Sequence, residues 1–198
     1  MQIILLGQTY TCENNMFAIE QIFQKLSQIL MENGQRIVGL EVDGVEICSN
    51  FDQYITDHLN NVQTIVVKVT TEQEFLNDSL LSIHEYIERA VLEIDKLVDQ
   101  FYHEVSSETW NTFAQLLEGL QYIMGSLALV TQHEEWYFNI RQFVLAQENL
   151  SKAIVMLQNA AENKDRVWLC DALLYEIIPS FKLLSRAIQA NFKSARVY

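Results

Sequence analysis

The sequence predicts an α+β protein in two parts: a small mixed domain over residues 1–70, then an all-α antiparallel four-helix bundle over residues 71–198. Three observations carry that reading. Short apolar runs punctuated by Gly7, Gly34 and Asp43-Gly44 fill the first part. From Thr71 onward, apolar residues recur at spacings of three and four through four long stretches. Brief polar segments separate those stretches, and short connections between long helices favour antiparallel neighbours.

The elements follow in order. "MQIILLGQTYTC" reads as strand, tight turn at Gly7-Gln8, and strand, with Thr9, Tyr10 and Thr11 favouring β structure. In "ENNMFAIEQIFQKLSQILMENG", Phe17, Ile19, Ile22, Phe23, Leu26, Ile29 and Leu30 line one face of an amphipathic helix, and Gly34 is placed to end it. "RIVGLEVDGVEIC", Arg36 to Cys48, is a hairpin turning at Asp43-Gly44. "NFDQYITDHLNN" holds a short helix or turn, and the valine-rich "VQTIVVKV" is a strand.

This order of hairpin, helix, hairpin, short helix and strand resembles the ubiquitin-like β-grasp fold over about residues 1–69. The resemblance implies that the Arg36–Cys48 hairpin supplies the third and fourth strands and that "VQTIVVKV" returns beside the first. It also implies a sheet whose exposed face or edge binds a partner. No Gly-Gly ends the domain and the chain runs on, so conjugation is not implied. If "MQIILLGQTYTC" is one strand, the order becomes βαββαβ, a ferredoxin-like arrangement.

In the second part, Thr71 and Glu74 form a T-x-x-E capping box. The first long helix then buries Leu76, Leu80, Ile83, Ile87, Val91, Ile94, Val98 and Phe101. Ser106 to Glu108 restart a helix whose core positions read Trp110, Phe113, Leu117, Leu120, Met124 and Leu127. The third places Ile140, Phe143, Leu150, Ile154 and Leu157 inward and ends at Asn163 to Asp165. The fourth places Cys170, Leu174, Ile177, Phe181, Leu184 and Ile188 inward. Aromatic residues collect at the two ends, Phe101, Tyr102, Trp110 and Trp168 at one and Phe75, Trp136, Tyr137, Phe138 and Phe192 at the other, as core caps or as a groove for a partner helix.

Net charge is −13, which disfavours nucleic acid and anionic lipid as partners. The acids are uneven: residues 71–135 hold 13 acidic and 2 basic side chains, residues 136–198 hold 5 and 8. Lys182, Arg186, Lys193 and Arg196 would match Glu72, Glu74 and Asp78 within the bundle, or the acidic face would receive a basic partner. No basic segment opens the chain, and no apolar run approaches the roughly 20 residues that span a bilayer. Cys12, Cys48 and Cys170 are odd in number and far apart, which suits reduced thiols in a cytoplasmic protein.

Chemistry finds little to build on. None of the four histidines completes Glu-x-x-His, although His84 with Glu88 and Asp99 with His103 have i, i+4 spacing. Phosphate-cradling glycine motifs and the common nucleophile and zinc motifs are missing from the sequence. "RVWLCDALLYEIIPSF" is apolar on nearly all sides, well beyond the face a bundle helix needs. Either something besides its bundle neighbours covers it, or its aromatics fold inward. Pro179 should kink or loosen the helix there.

The function expected from these features is that of a non-catalytic interaction or assembly protein, an adaptor of chaperone-like character that self-associates through its fourth helix. Trp168, Leu169, Tyr175 and Ile178 are the expected apolar contacts, and Glu85, Glu88 and Asp99 the electrostatic ones. No cofactor, metal ligand or catalytic residue is assigned, and the partners expected are a protein and a second copy, with neither nucleic acid nor membrane. The alternative is an enzyme or metal-binding protein with its site in the bundle interior or at the domain junction.

Overall fold

The computed structural model describes residues 1–47 and 49–195, so Cys48 and Arg196 lie outside the described residues. It is an α+β protein with a five-stranded mixed sheet followed by long helices. The chain divides into Met1–Phe75 and Leu76–Tyr198, five residues beyond the boundary expected from the sequence. The first turn of the long helix explains the difference, because it is tied to the sheet. The Glu72 amide donates to Gly34 O at 3.2 Å, and the Arg36 guanidinium lies 3.9 Å over the Phe75 ring.

In the first unit, strands β1 (Gln2–Leu5) and β2 (Gln8–Thr11) form a hairpin, so this segment is two strands and not one. Leu6 and Gly7 make the turn with φ of 50° and 78°. Helix α1 (Met16–Glu32) starts where the Asn15 side chain accepts the Ala18 amide, and it buries Ile19, Leu26 and Leu30. Strands β3 (Gln35–Val42) and β4 (Val45–Ile47) turn at Asp43-Gly44, both at positive φ. The Asp43 carboxylate also accepts the Gln63 and Thr64 amides, which pins this turn to the start of β5 (Thr64–Thr71). Helix α2 (Phe51–His58) precedes that strand. The sheet runs β2-β1-β5-β3-β4, with β1 and β5 parallel and the other neighbours antiparallel. Its core joins Ile3, Leu5, Leu40, Val42, Ile65 and Val67 to the buried face of α1.

In the second unit, helix α3 runs Glu72–His103, α4 Ser107–Val130 and α5 Ile140–Glu162. Local chemistry sets their ends. Glu74 accepts from Thr71 N at 3.1 Å while Thr71 Oγ1 accepts from Glu74 N at 3.2 Å, the reciprocal capping box the sequence contains. Ser106 caps α4 by accepting the Thr109 amide, and Asp165 caps the last helix by accepting the Trp168 amide. That last helix comprises α6 (Arg166–Ala172), a π-helical turn (Leu173–Ile177) and α7 (Ile178–Ala195). Pro179 has no amide to donate, and the turn before it widens so that the Ile178 amide reaches Leu173 O, five residues back. The helix continues past the proline.

Contacts between helices are specific. Phe101 of α3 meets Trp110 and Phe113 of α4 edge-to-face at 5.2 and 5.9 Å. Tyr86 of α3 meets Phe181 of α7 at 6.3 Å, and the Cys170 thiol donates to Val98 O at 3.8 Å. The last helix also packs along α5. Among the described residues, α4 is the one helix long and apolar enough by length and composition to cross a membrane, a test that a buried helix of a soluble protein also passes.

Candidate functional site

The residues expected to meet a partner divide sharply by exposure. Leu169 and Ile178 are 1% and 7% exposed, so they belong to the protein's own core and are unavailable to a partner. Tyr175 is 68% exposed and Trp168 half-buried. The apolar surplus of the last helix is therefore mostly absorbed inside the chain, by α3 on one side and α5 on another. Glu85, Glu88 and Asp99 are exposed on α3, where their spacing puts them on neighbouring positions of one face. Lys182, Arg186 and Lys193 are exposed and make no ion pair among the described residues.

Phe113, Leu120 and Leu127 of the expected α4 core are buried, whereas Thr109, Leu116 and Ile123 are buried in place of their neighbours Trp110, Leu117 and Met124. Val130 is buried as well. Leu117 is 38% exposed, Trp110 43% exposed, and Met124 half-buried. The cause lies in two adjacent apolar pairs, Leu116-Leu117 and Ile123-Met124, which lay two apolar stripes about 100° apart on one helix. One stripe fills the core. The other lines an open cleft.

That cleft runs between α4 and α5 and has a volume of about 520 Å³. Phe113, Leu117, Leu120 and Met124 form one wall; Ile154, Leu157 and Ala161 form the other. Gln121, Gln158 and Glu162 supply the polar lining, and the Gln158 amide donates to Glu162 at 2.9 Å. Tyr122 and Val155 add exposed apolar surface on the two helices, at 53% and 54%. The lining holds no nucleophile and a single carboxylate, so the cleft suits an apolar ligand surface better than bond-breaking chemistry.

A second constellation joins α3 to α7. Ser185 Oγ lies 2.9 Å from His84 Nδ1 and donates to Glu88 at 3.2 Å, while Gln189 Nε2 lies 3.3 Å from His84 Nε2. A serine-histidine-carboxylate relay needs the hydroxyl and the carboxylate on opposite ring nitrogens. Here Glu88 is 4.0 Å from Nδ1, the nitrogen that Ser185 already faces, and Ser185 is only 7% exposed. The group therefore works as a polar tie between helices. Asp99 and His103 pair at 3.2 Å on the surface, and the described residues contain no group of three or more His, Cys, Asp or Glu able to hold a metal.

The aromatic residues also separate. Trp136 stacks on His133 at 3.9 Å between α4 and α5, Phe138 is 66% exposed, and Phe75 belongs with Arg36 in the first unit. Tyr102 is 51% exposed; desolvation, then Cys170, Asp171 and Tyr175, push its phenol up.

Comparison with known families gives one match, to a family model described as a domain of unknown function (DUF8042), over residues 78–187. Neither the curated proteins nor the solved structures contain a match to this chain.

Proposed function

The chain belongs to the DUF8042 family, whose description names no activity, and we propose from the geometry of its own residues that it is a non-catalytic interaction protein. It acts as an adaptor or assembly factor of chaperone-like character, and it docks a partner protein on its helical unit. The single observation that carries this reading is the apolar cleft between α4 and α5, where Leu117 and Met124, off the buried face of α4, extend the core residues Phe113, Leu120 and Leu157 into an open groove. Burying such a surface in a partner contributes roughly 25 cal/mol per Å² removed from water.

In the same reading the helical unit is an antiparallel four-helix bundle. Its support is pairwise: Phe101 against Trp110 and Phe113, the shared α4–α5 cleft, and the contacts of the last helix with α3 and α5. The sheet is a β-grasp module, supported by its strand order and the parallel pairing of β1 with β5. Self-association through the last helix narrows to Val167, Trp168 and Tyr175, the positions there that face solvent in whole or part. Glu85, Glu88 and Asp99 serve as electrostatic contacts for a basic partner surface. A cytoplasmic setting accords with the free thiols of Cys12 and Cys170.

The test is capture from native lysate at low and high salt, using the full chain and its Leu117→Lys variant. A stoichiometric partner held by the wild type at both salts and lost by the variant supports docking in the cleft. Equal capture by both chains places the contact elsewhere. If nothing but the chain itself returns, the interaction reading fails, and an enzyme or metal-binding protein becomes the better account.

A further inference from the structure

We propose that the α4–α5 cleft takes one class of occupant: a short amphipathic helix of a partner protein whose apolar stripe is flanked by Lys or Arg. The inference rests on the interaction reading above and adds the chemistry of the partner.

Shape comes first. From Phe113 to Met124 the α4 wall extends eleven residues, about 16 Å at the helical rise, which matches three turns of a docked helix. Anchors at i, i+3 or i+4, i+7 and i+11 of such a helix would reach along the whole wall. The walls are aliphatic and aromatic, so apolar anchors are required.

Charge then selects among amphipathic helices. Helix α4 carries Glu108 and Glu118 and not one Lys or Arg in its 24 residues. Glu118 lies three residues from the cleft-lining Gln121 and makes no ion pair among the described residues. On the opposite wall, Glu162 is held by the Gln158 amide and not by a cation. The lining thus presents one carboxylate, Glu162, and no basic side chain, and Glu118 adds an exposed acid on α4 one turn from the lining Gln121. A partner carboxylate would be repelled there and a partner cation attracted.

Other occupants fit less well. An anionic lipid surface meets the same repulsion. A second copy would have to offer an exposed, basic, amphipathic helix. The exposed cations of α7 stand on a helix whose apolar positions, among them Phe181, Leu184 and Ile188, are buried. Helix α1 does expose Phe17 and Met31, but it carries Glu20 and Glu32 against the single Lys25.

The test pans a displayed library of random peptides of about 15 residues, four helical turns, against the full chain. Enriched peptides are then titrated against wild type, Leu117→Lys, and the double variant Glu118→Gln/Glu162→Gln, each checked for native helicity. The expected peptides show apolar residues at three-four spacing with flanking Lys or Arg. Their affinity should fall about tenfold or more on Leu117→Lys, the loss of one leucine-sized contact. It should fall a few-fold in the double variant, with a flatter salt dependence. Peptides that need Leu117 yet carry no basic flank overturn the partner chemistry and leave the docking reading standing. No enrichment, or enriched peptides indifferent to Leu117→Lys, overturns the cleft as a docking site altogether. Leu117-dependent binding to phosphatidylcholine or phosphatidylserine vesicles, with no peptide enriched, assigns the cleft to a membrane surface and overturns the proposal.

Discussion

The phenol ring of Tyr86 on α3 fills the space that a β-carbon on Gly119 of α4 would occupy. The same ring meets Phe181 edge-to-face at 6.3 Å, so it lies between α4 and α7. Burial also pushes the Tyr86 phenol above its ordinary range. The glycine thus makes room for the ring inside a helix where alanine would otherwise be preferred.

Gly119→Ala sets two opposed effects against each other. Alanine gains about 1 kcal/mol in helix propensity, whereas displacing a packed ring costs about 1–3 kcal/mol. The expected result is a net loss of about 1 kcal/mol. In a Tyr86→Ala background the same substitution should stabilise, because only the propensity remains. Urea unfolding of the four chains, followed by helical circular dichroism, measures the reversal. Equal effects in both backgrounds would show that the ring and the glycine do not couple.

The cap of α3 makes a prediction in acid. Hydrogen bonds from the Thr71 backbone and side chain and from the Thr70 side chain hold the Glu74 carboxyl below the usual carboxylate range. A folded-state value below the unfolded one means the cap contributes above the unfolded carboxylate value of about 4.3 and is lost as pH falls through the lower folded value. Carbon-detected NMR should find Glu74 titrating below the exposed glutamates. Thr71→Val should move that midpoint upward, and an unchanged midpoint would contradict the cap.

Tyr137, 6% exposed, has a hydroxyl without a hydrogen-bond partner among the described residues, and burial pushes its phenol up to about 12. Tyr137→Phe removes an unpaired buried group and should leave stability unchanged or raise it by about 1 kcal/mol. The sign in alkali is also set. Stability contributed by the neutral phenol is intact below the unfolded value near 10 and is lost as pH rises towards about 12. The phenylalanine variant should lose less stability across that interval. Greater destabilisation of the variant would mean that the hydroxyl is bonded.

Features set by neighbouring residues are legible in the sequence. The Asp43-Gly44 turn, the Thr71-Glu74 box, the Ser106 restart and the inward face of α3 all follow from chemistry within a turn or two of the chain. The cleft is not legible in that way. Leu116 and Leu117 are equally apolar, as are Ile123 and Met124, and only the positions of the neighbouring helices decide which member of each pair is buried. The same holds for the last helix. Leu169 and Ile178 look like surplus apolar surface on an isolated helix, yet both are buried in a helix that packs along α5 and meets α3. Tyr175 and the acidic positions of α3 are exposed as their sequence context suggests.

The measurement that bears most directly on the interaction account is hydrogen exchange of the full chain, alone and saturated with the partner captured from lysate. The account predicts slowed exchange in residues 113–124 and 154–162, the two walls of the cleft. Protection confined to other segments, such as the exposed end of the last helix around Val167 and Tyr175, would contradict it.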